Sequence, residues 1–580
     1  MKKIIYNYLE PFLLVTIAFI CVINYYYAVH FHLLIPIIII IRCLLTFYII
    51  RLLYLIFPRR FSFVIITGIT ILCNIESVVG LLQLFGFINS NHFLYSITGS
   101  FQNPGPYGGF LAICIILLTA NCLLHKKNQT QNLISKLLYW GASTIAFIAF
   151  IILPSTQSRS AILALGCSII LLAFGTERIR ANIKPFLKKN GLWLTLGLAI
   201  TGTGAYLLKK PSADGRLFMD MICIKAIREN SWKGAGIGHF GGAYGKAQAC
   251  YFKEQIDDKG KDDLDWRAIN EHDRMTADCP DNAYNDYMFI GVEVGPIAML
   301  LFIFIIISAI VISFNRGTIW CYGLTTFAVF ALFSYPLHVK QFQILFPILL
   351  AACISDKQHN IQDQNEDELL FLKNKYVLAE IIAMVAILIS LSTIIILKLP
   401  ELKLCKQAET NWKKAERWYK MGYYEYAVED CDTLLSYMKH DYHFLFAYGQ
   451  SLNKTGNYKK SDSILIMGTQ ISSDPMFWNV MGNNSLALGK YREAEDRYKH
   501  AFYIVPNRLY PLYLLAKLYH EEGDTAKFMY MAEKIASFPP KVESINTEQL
   551  RNEIKDIRIE YLLKRLPLYR GTNICLSAPR

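Results

Sequence analysis

The sequence predicts an all-α protein in two parts, a polytopic membrane helix bundle followed by an α-solenoid. Three observations predict it. Long apolar runs recur through the first 400 residues, they stop there, and beyond them a glycine returns at intervals of 34, 33 and 34 residues. The chain has 580 residues, 53% of them hydrophobic, and a mean hydropathy of +0.29, a balance unusual for a soluble domain. A helical span needs about 20 apolar residues. Eleven candidates follow: 11–29, 32–57, 62–88, 105–124, 137–153, 160–175, 191–208, 287–313, 317–333, 341–354 and 376–397. The first lacks a small-residue cleavage site after it and reads as a span, not a removed signal. A membrane domain over 1–397 and a second domain over 398–580 result.

The net charge of +13 informs through its placement. Lys2 and Lys3, Arg59 and Arg60, Lys126, Lys127 and Lys136, the run Arg178, Arg180, Lys184, Lys188 and Lys189, then Arg316, Lys357, Lys373 and Lys375 fall in alternate connections. The other short connections hold little beyond Arg159 and Lys340. The positive-inside rule puts the first group in the cytoplasm. Eleven spans then carry the 89–104 loop, the polar loop 209–286 and the C-terminal domain to the periplasmic face of an inner membrane. The basic residues serve topology, so no nucleic-acid partner is expected. The 14 cysteines form no CxxC pair, and Cys250 and Cys279 could pair only if the outer side is oxidising.

Inside the third span lie Asn74, Glu76 and Gln83. A carboxylate there must be paired, and Arg42, near the same depth in the second span, is the expected partner. The loop 209–286 is polarised. Residues 209–253 hold eight Lys/Arg against three acids, and residues 254–286 hold four against eleven. From Arg216 to Arg228 the apolar positions fit an interfacial helix that also carries Lys225. A basic half beside a membrane suits an anionic headgroup such as a diphosphate, and arginine's fork suits phosphate oxygens. Asp263 and Asp265 resemble a divalent-cation pair, but among so many acids they read as a solvated stretch. No metal and no other cofactor is expected.

In the C-terminal part, Gly422-Tyr-Tyr-Glu-Tyr-Ala427, Gly456-Asn-Tyr-Lys-Lys-Ser461, Gly489-Lys-Tyr-Arg-Glu-Ala494 and Gly523-Asp-Thr-Ala-Lys-Phe528 share one register. The third copy adds Trp478, Gly482, Tyr498, Ala501 and Pro506. This resembles the tetratricopeptide repeat, a helix–turn–helix unit of about 34 residues. Four copies are expected, over about 408–440, 442–474, 475–508 and 509–541. Such arrays bind peptides or partner proteins.

Five outer patches stand out: TGSFQNPGPYGGFLA from Thr98, QSRSAILAL from Gln157, GR…AIRENSWKGAGIGHF from Gly215, AYNDYMFIGVEVG from Ala283, and SYPLHVKQF from Ser334. In this order around one long outer loop they resemble the O-antigen ligase superfamily, over about residues 60–355. That superfamily includes lipopolysaccharide O-antigen ligases, O-antigen polymerases and bacterial protein O-oligosaccharyltransferases; NPGPYGG and SYPL lean toward the last. The resemblance implies a GT-C-like membrane glycosyltransferase that moves a preassembled glycan from undecaprenyl diphosphate to an acceptor hydroxyl without a metal. The acceptor would be lipid A–core, a protein or a growing glycan. Arg159 and Arg216 match the arginines that hold the diphosphate, with Lys225, His338 and Lys340 as further ligands. The family's histidine before Asn is Tyr284 here, next to Asn285. A phenol with pKa about 10 is a poor base at neutral pH. Asp281, Asp286, His239 and His272 are the nearby substitutes. Asp281 is favoured, because three residues before Tyr284 it would share a helical face. Asn285 and Glu293, eight apart, would share another. The alternatives are a polysaccharide polymerase, or a non-catalytic scaffold for envelope assembly acting through its repeats.

Overall fold

The computed structural model describes residues 34–57, 61–125, 133–175, 210–230, 232–257, 264–356 and 375–565. Among them every regular element is helical. The expected spans 11–29 and 191–208 lie outside the described residues. The chain divides into two compact units. The first is Met1–Arg216, Ser231–Ile237 and Asn282–Leu402; the second is Leu217–Asn230, Gly238–Asp281 and Lys403–Arg580. The division therefore departs from a simple break at 397/398. Most of the polar loop belongs with the C-terminal helices, while its segment Ser231–Ile237 belongs with the first unit.

The first unit is built from α1 (Leu34–Ile56), α2 (Phe61–Leu84), α3 (Pro104–His125), α4 (Leu133–Ile152), α5 (Arg159–Gly175), the start of α6 (Lys210–Glu229), α9 (Asp286–Glu293), α10 (Pro296–Asn315), α11 (Trp320–Ala331), α12 (Lys340–Ser355) and the first part of α13 (Lys375–Lys420). Five described helices are long and apolar enough to cross a membrane, and four more are apolar but shorter. α3 is the hub, packed by α2, α4, α5 and α11, and its residues from Leu111 to Leu118 are sealed from solvent. Glycine permits this crowding. A Cβ on Gly109 would stand 2.5 Å from the Phe330 ring, and one on Gly323 would stand 2.8 Å from Leu117. Without a water-driven force between apolar helices, such small-residue contacts set how closely they approach.

Two expectations change here. The run 287–313 is not one helix. Gly295, at φ +100°, ends α9 and Pro296 opens α10. The break is held by backbone: Ala235 N–H donates to Val292 O at 2.8 Å and Gly236 N–H to Glu293 O at 2.9 Å. A Cβ on Gly295 would lie 2.1 Å from Trp232 O, so no other residue fits. Second, Glu76 is not paired with Arg42, whose side chain is exposed. The Glu76 carboxylate accepts the Ser100 N–H at 3.0 Å and the Ser100 hydroxyl. Gln83 accepts the N–H groups of Thr98 and Gly99 at 2.9 and 2.7 Å. The two polar side chains of α2 thus cap a loop instead of meeting a cation. The buried arginine of α1 is Arg51, which bonds Glu380 of α13.

The second unit takes in the rest of α6, α7 (Phe240–Asp257), α8 (Glu271–Thr276), the end of α13, and α14 (Tyr424–Met438), α15 (Tyr442–Lys454), α16 (Tyr458–Thr469), α17 (Met476–Ala487), α18 (Tyr491–Ile504), α19 (Tyr510–Glu522), α20 (Thr525–Ser537) and α21 (Ile545–Arg565). From α14 onward each helix packs on the next. Gly422, Gly456, Gly489 and Gly523 stand at φ +81°, +81°, +73° and +80° with open space around them, so the left-handed turn, not crowding, demands glycine. Gly449, Gly468 and Gly482 are the crowded ones: a Cβ on Gly482 would lie 2.2 Å from the Tyr498 ring.

The polar loop is bound to this array through main chain. α7 packs on α18, and its glycines face the turn that follows α16. A Cβ would meet Ile471 O at 2.5 Å from Gly241, Gln470 O at 2.2 Å from Gly242 and Ser473 Cα at 3.0 Å from Gly245. Asn507 donates to Arg274 O at 2.8 Å and Ala277 O at 2.9 Å, and Arg274 to Pro539 O at 2.8 Å. In α6 the buried stripe is Phe218, Ile222, Cys223 and Ala226, while Leu217, Met221 and Ile224 are exposed. The helix forms as its apolar positions require, with one stripe against protein and another facing outward. Cys250 and Cys279 are free thiols. Burial pushes the Cys279 thiol up to about 12.

Candidate functional site

The five sequence patches lie far apart in the chain, and within the first unit they meet. Ser158, beside Arg159, donates to Gly105 O at 3.3 Å. Gly108 admits that strand of residues, since a Cβ there would lie 2.7 Å from Thr156 Oγ1 and 2.8 Å from Ser158 Cβ. Asn103 Nδ2 donates to Tyr335 Oη at 3.4 Å. The Tyr335 ring stands edge-on to Tyr284, with centroids 5.1 Å apart at 88°. The Arg216 guanidinium lies 5.7 Å over the Tyr284 ring, and its Nη1 donates to Phe333 O at 2.8 Å, just past the end of α11. A cation over an aromatic face is attracted by the ring's quadrupole, and the carbonyl fixes the guanidinium's direction.

Four helices of the first unit begin in these patches: α3 at Pro104, α5 at Arg159, α9 at Asp286 and α12 at Lys340. Helix N-termini present unpaired N–H groups and partial positive charge, which favour anions. Asn285 caps α9, its Oδ1 accepting Tyr287 N–H at 3.2 Å and Met288 N–H at 3.3 Å. Replacing a capping Asn by Ala costs about 1 kcal/mol. Asn285→Ala is therefore expected to lower the thermal midpoint of the purified protein by a few degrees, read by differential scanning fluorimetry.

Tyr284 sits at φ +49°, in the left-handed region, which costs a non-glycine residue about 1 kcal/mol or more. Residues 281–285 are not helical and α9 starts at Asp286. Asp281 therefore shares no helical face with Tyr284. It belongs to the second unit, where it accepts the Tyr442 hydroxyl at 3.2 Å. Asn285 and Glu293 are the cap and last residue of α9, both buried. Lys225 is likewise in the second unit, held by both Glu254 oxygens at 2.7 and 2.8 Å. A lysine saturated by a carboxylate is a poor diphosphate ligand. Lys340 opens α12 with an exposed side chain. Asp265 caps a short turn by accepting Arg267 N–H at 3.1 Å, and Asp263 lies outside the described residues.

Sequence reasoning placed His338 among anion ligands. In the structure its Nδ1 stands 3.4 Å from Asp286 Oδ1, and Asp286 Oδ2 accepts Leu337 N–H at 2.9 Å. Burial raises the Asp286 carboxyl above the usual carboxylate range, opposed by His338 and by the Leu337 N–H. The Phe289 ring meets the imidazole edge-on at 4.3 Å. Burial also raises the Tyr335 phenol, with Tyr284 adding to the shift and Arg216 opposing it. The signal that could have paired Asp286 with His338 was slight. It was an acid at the first position of a helix and a histidine ending a Pro-initiated turn 52 residues later.

Neither a protein-family model nor a curated protein matches this chain. The arrangement of its own residues carries the functional reading.

Proposed function

We propose that this chain is a membrane glycosyltransferase that moves a preassembled glycan from undecaprenyl diphosphate to an acceptor hydroxyl at the outer face of the inner membrane. The observation that carries the reading is the chain of contacts that joins five patches, from Thr98 onward to the turn before α12, and brings Arg216 onto the Tyr284 ring. A departing diphosphate gains negative charge as the glycosidic C–O bond breaks. A fixed guanidinium among helix N-termini stabilises that charge without reorganising. Arg159, at the start of α5, and Lys340, at the start of α12, are proposed as further ligands of the diphosphate.

The same reading holds the apolar helices to be part of eleven spans and the second unit to be a tetratricopeptide array on the periplasmic side. An array that holds its own polar loop through Gly241, Gly242 and Gly245 serves first as a mount for that loop. It takes a lipid A–core or protein acceptor second. A strain deleted for the chain is expected to lose one envelope glycan while the others persist. Loss from proteins with lipopolysaccharide intact identifies a protein acceptor, and loss from lipopolysaccharide identifies lipid A–core. An unchanged profile of both, by mass spectrometry and gel analysis, overturns the proposal in favour of a scaffold.

A further inference from the structure

Glycan transfer to a hydroxyl needs a group to take the hydroxyl's proton, and Tyr284 is poorly suited to that task. An imidazole stands within the same cluster. His338 ends the short turn Pro336–His338, and Asp286 opens α9. The carboxylate is 1% exposed and the imidazole 28% exposed. Asp286 cannot swing away, because its other oxygen is held by the Leu337 main chain and its helix is capped by Asn285. The ring of His338 is likewise braced by Phe289. A buried carboxylate at Nδ1 selects the tautomer whose Nε2 carries the lone pair, and it stabilises the imidazolium that forms when that nitrogen is protonated. At 3.4 Å the Asp286–His338 contact is an ion-pair distance; catalytic contacts of this kind commonly tighten when substrate binds.

We propose that His338, oriented by Asp286, is the proton acceptor of the transfer reaction, so that the role expected at position 284 is filled from the turn before α12. The proposal rests on the glycosyltransferase reading above. In the step, the acceptor oxygen forms a bond to the anomeric carbon while the bond from that carbon to the diphosphate oxygen breaks. The bonding pair leaves with the polyprenyl diphosphate. The hydroxyl's proton passes to His338 Nε2 and from there to water after the product departs. Asp286 is a positioning residue, and it touches neither glycan nor lipid. Tyr284, held between Arg216 and Tyr335, is left to line the diphosphate's path.

The test uses full-length protein in lipid nanodiscs, undecaprenyl diphosphate-linked glycan as donor, and the acceptor that the deletion strain identifies. Binding of undecaprenyl diphosphate alone is measured in parallel. His338→Gln keeps the side chain's polarity and much of its bulk. It is expected to bind the lipid diphosphate as the unmodified protein does and to transfer glycan about 10²–10⁴-fold more slowly. Asp286→Asn is expected to lower kcat with KM unchanged. Asp286→Glu, which keeps the carboxylate, is expected to recover part of kcat. The other titratable groups of the cluster are Arg216, Tyr284 and Tyr335, all kept in these variants. Full transfer by His338→Gln, or an unchanged kcat in Asp286→Asn, overturns the assignment while leaving the glycosyltransferase reading intact. An unmodified protein that neither binds the lipid diphosphate nor transfers glycan overturns both.

Discussion

Replacing Arg216 by alanine is expected to slow glycan transfer by about 10²–10³-fold while the protein still inserts and purifies normally. That magnitude follows from the loss of one fixed donor to a developing oxyanion. The residue is half-buried, and it is positioned by Phe333 O on one side and by the Tyr284 ring on the other. Binding of undecaprenyl diphosphate should weaken together with turnover. Arg216→Lys is expected to recover part of the binding and less of the rate, because an ammonium keeps the charge but lacks the planar fork. Radiolabelled or fluorescent glycan transfer in nanodiscs, with size-exclusion elution as the folding control, decides the matter. Full activity of Arg216→Ala removes the diphosphate role.

The second large effect lies in the other unit. Gly242→Val is expected to detach α7 from the helical array. A Cβ at this position would lie 2.2 Å from Gln470 O, 2.5 Å from Gln470 C and 2.7 Å from Thr469 O. These are main-chain atoms next to the end of α16, so no rotamer change relieves the clash. Overpacking of this kind costs about 1–3 kcal/mol, and the lost contact of Gly241 and Gly245 adds to it. The measurable result is protease sensitivity across 240–257 and a lower thermal midpoint. Lys246→Val, at an exposed position of the same helix, serves as the comparison. Unchanged protection of α7 in Gly242→Val would show that the glycine face is not what holds the loop.

How much of this was legible beforehand depended on the range of the interactions. The helices of the C-terminal part follow from local chemistry: one glycine per hairpin at positive φ and small residues where aromatic rings approach. A single repeat is enough to reveal them. The apolar helices of the first unit follow from composition alone. The breaks did not, because Gly295 looks like any glycine until Trp232 O is placed beside it. The site divides the same way. Arg216 is visible because a basic half-loop with an arginine on a helix suggests an anion. The Asp286–His338 pair joins two turns across 52 residues, and no periodicity links them. Asp281 was favoured for its nearness to Tyr284, and nearness in sequence misled. The chain leaves helical geometry over 281–285, where Tyr284 takes positive φ, and Asp281 is drawn to Tyr442 instead. Lys225 meets Glu254 on the next helix of the loop, a pairing that no spacing in the sequence announces.

Glu76 has a consequence for how the protein is made. α2 is apolar enough to enter a bilayer, yet its carboxylate depends on donors from Ser100, which the ribosome adds 24 residues later. Until then the segment carries an uncompensated acid that a lipid environment penalises. The helix therefore gains a stable seat only once the 98–100 turn has emerged and folded back. α2 and the 98–100 turn thereby form one folding unit, since the buried polar groups of each are satisfied by the other.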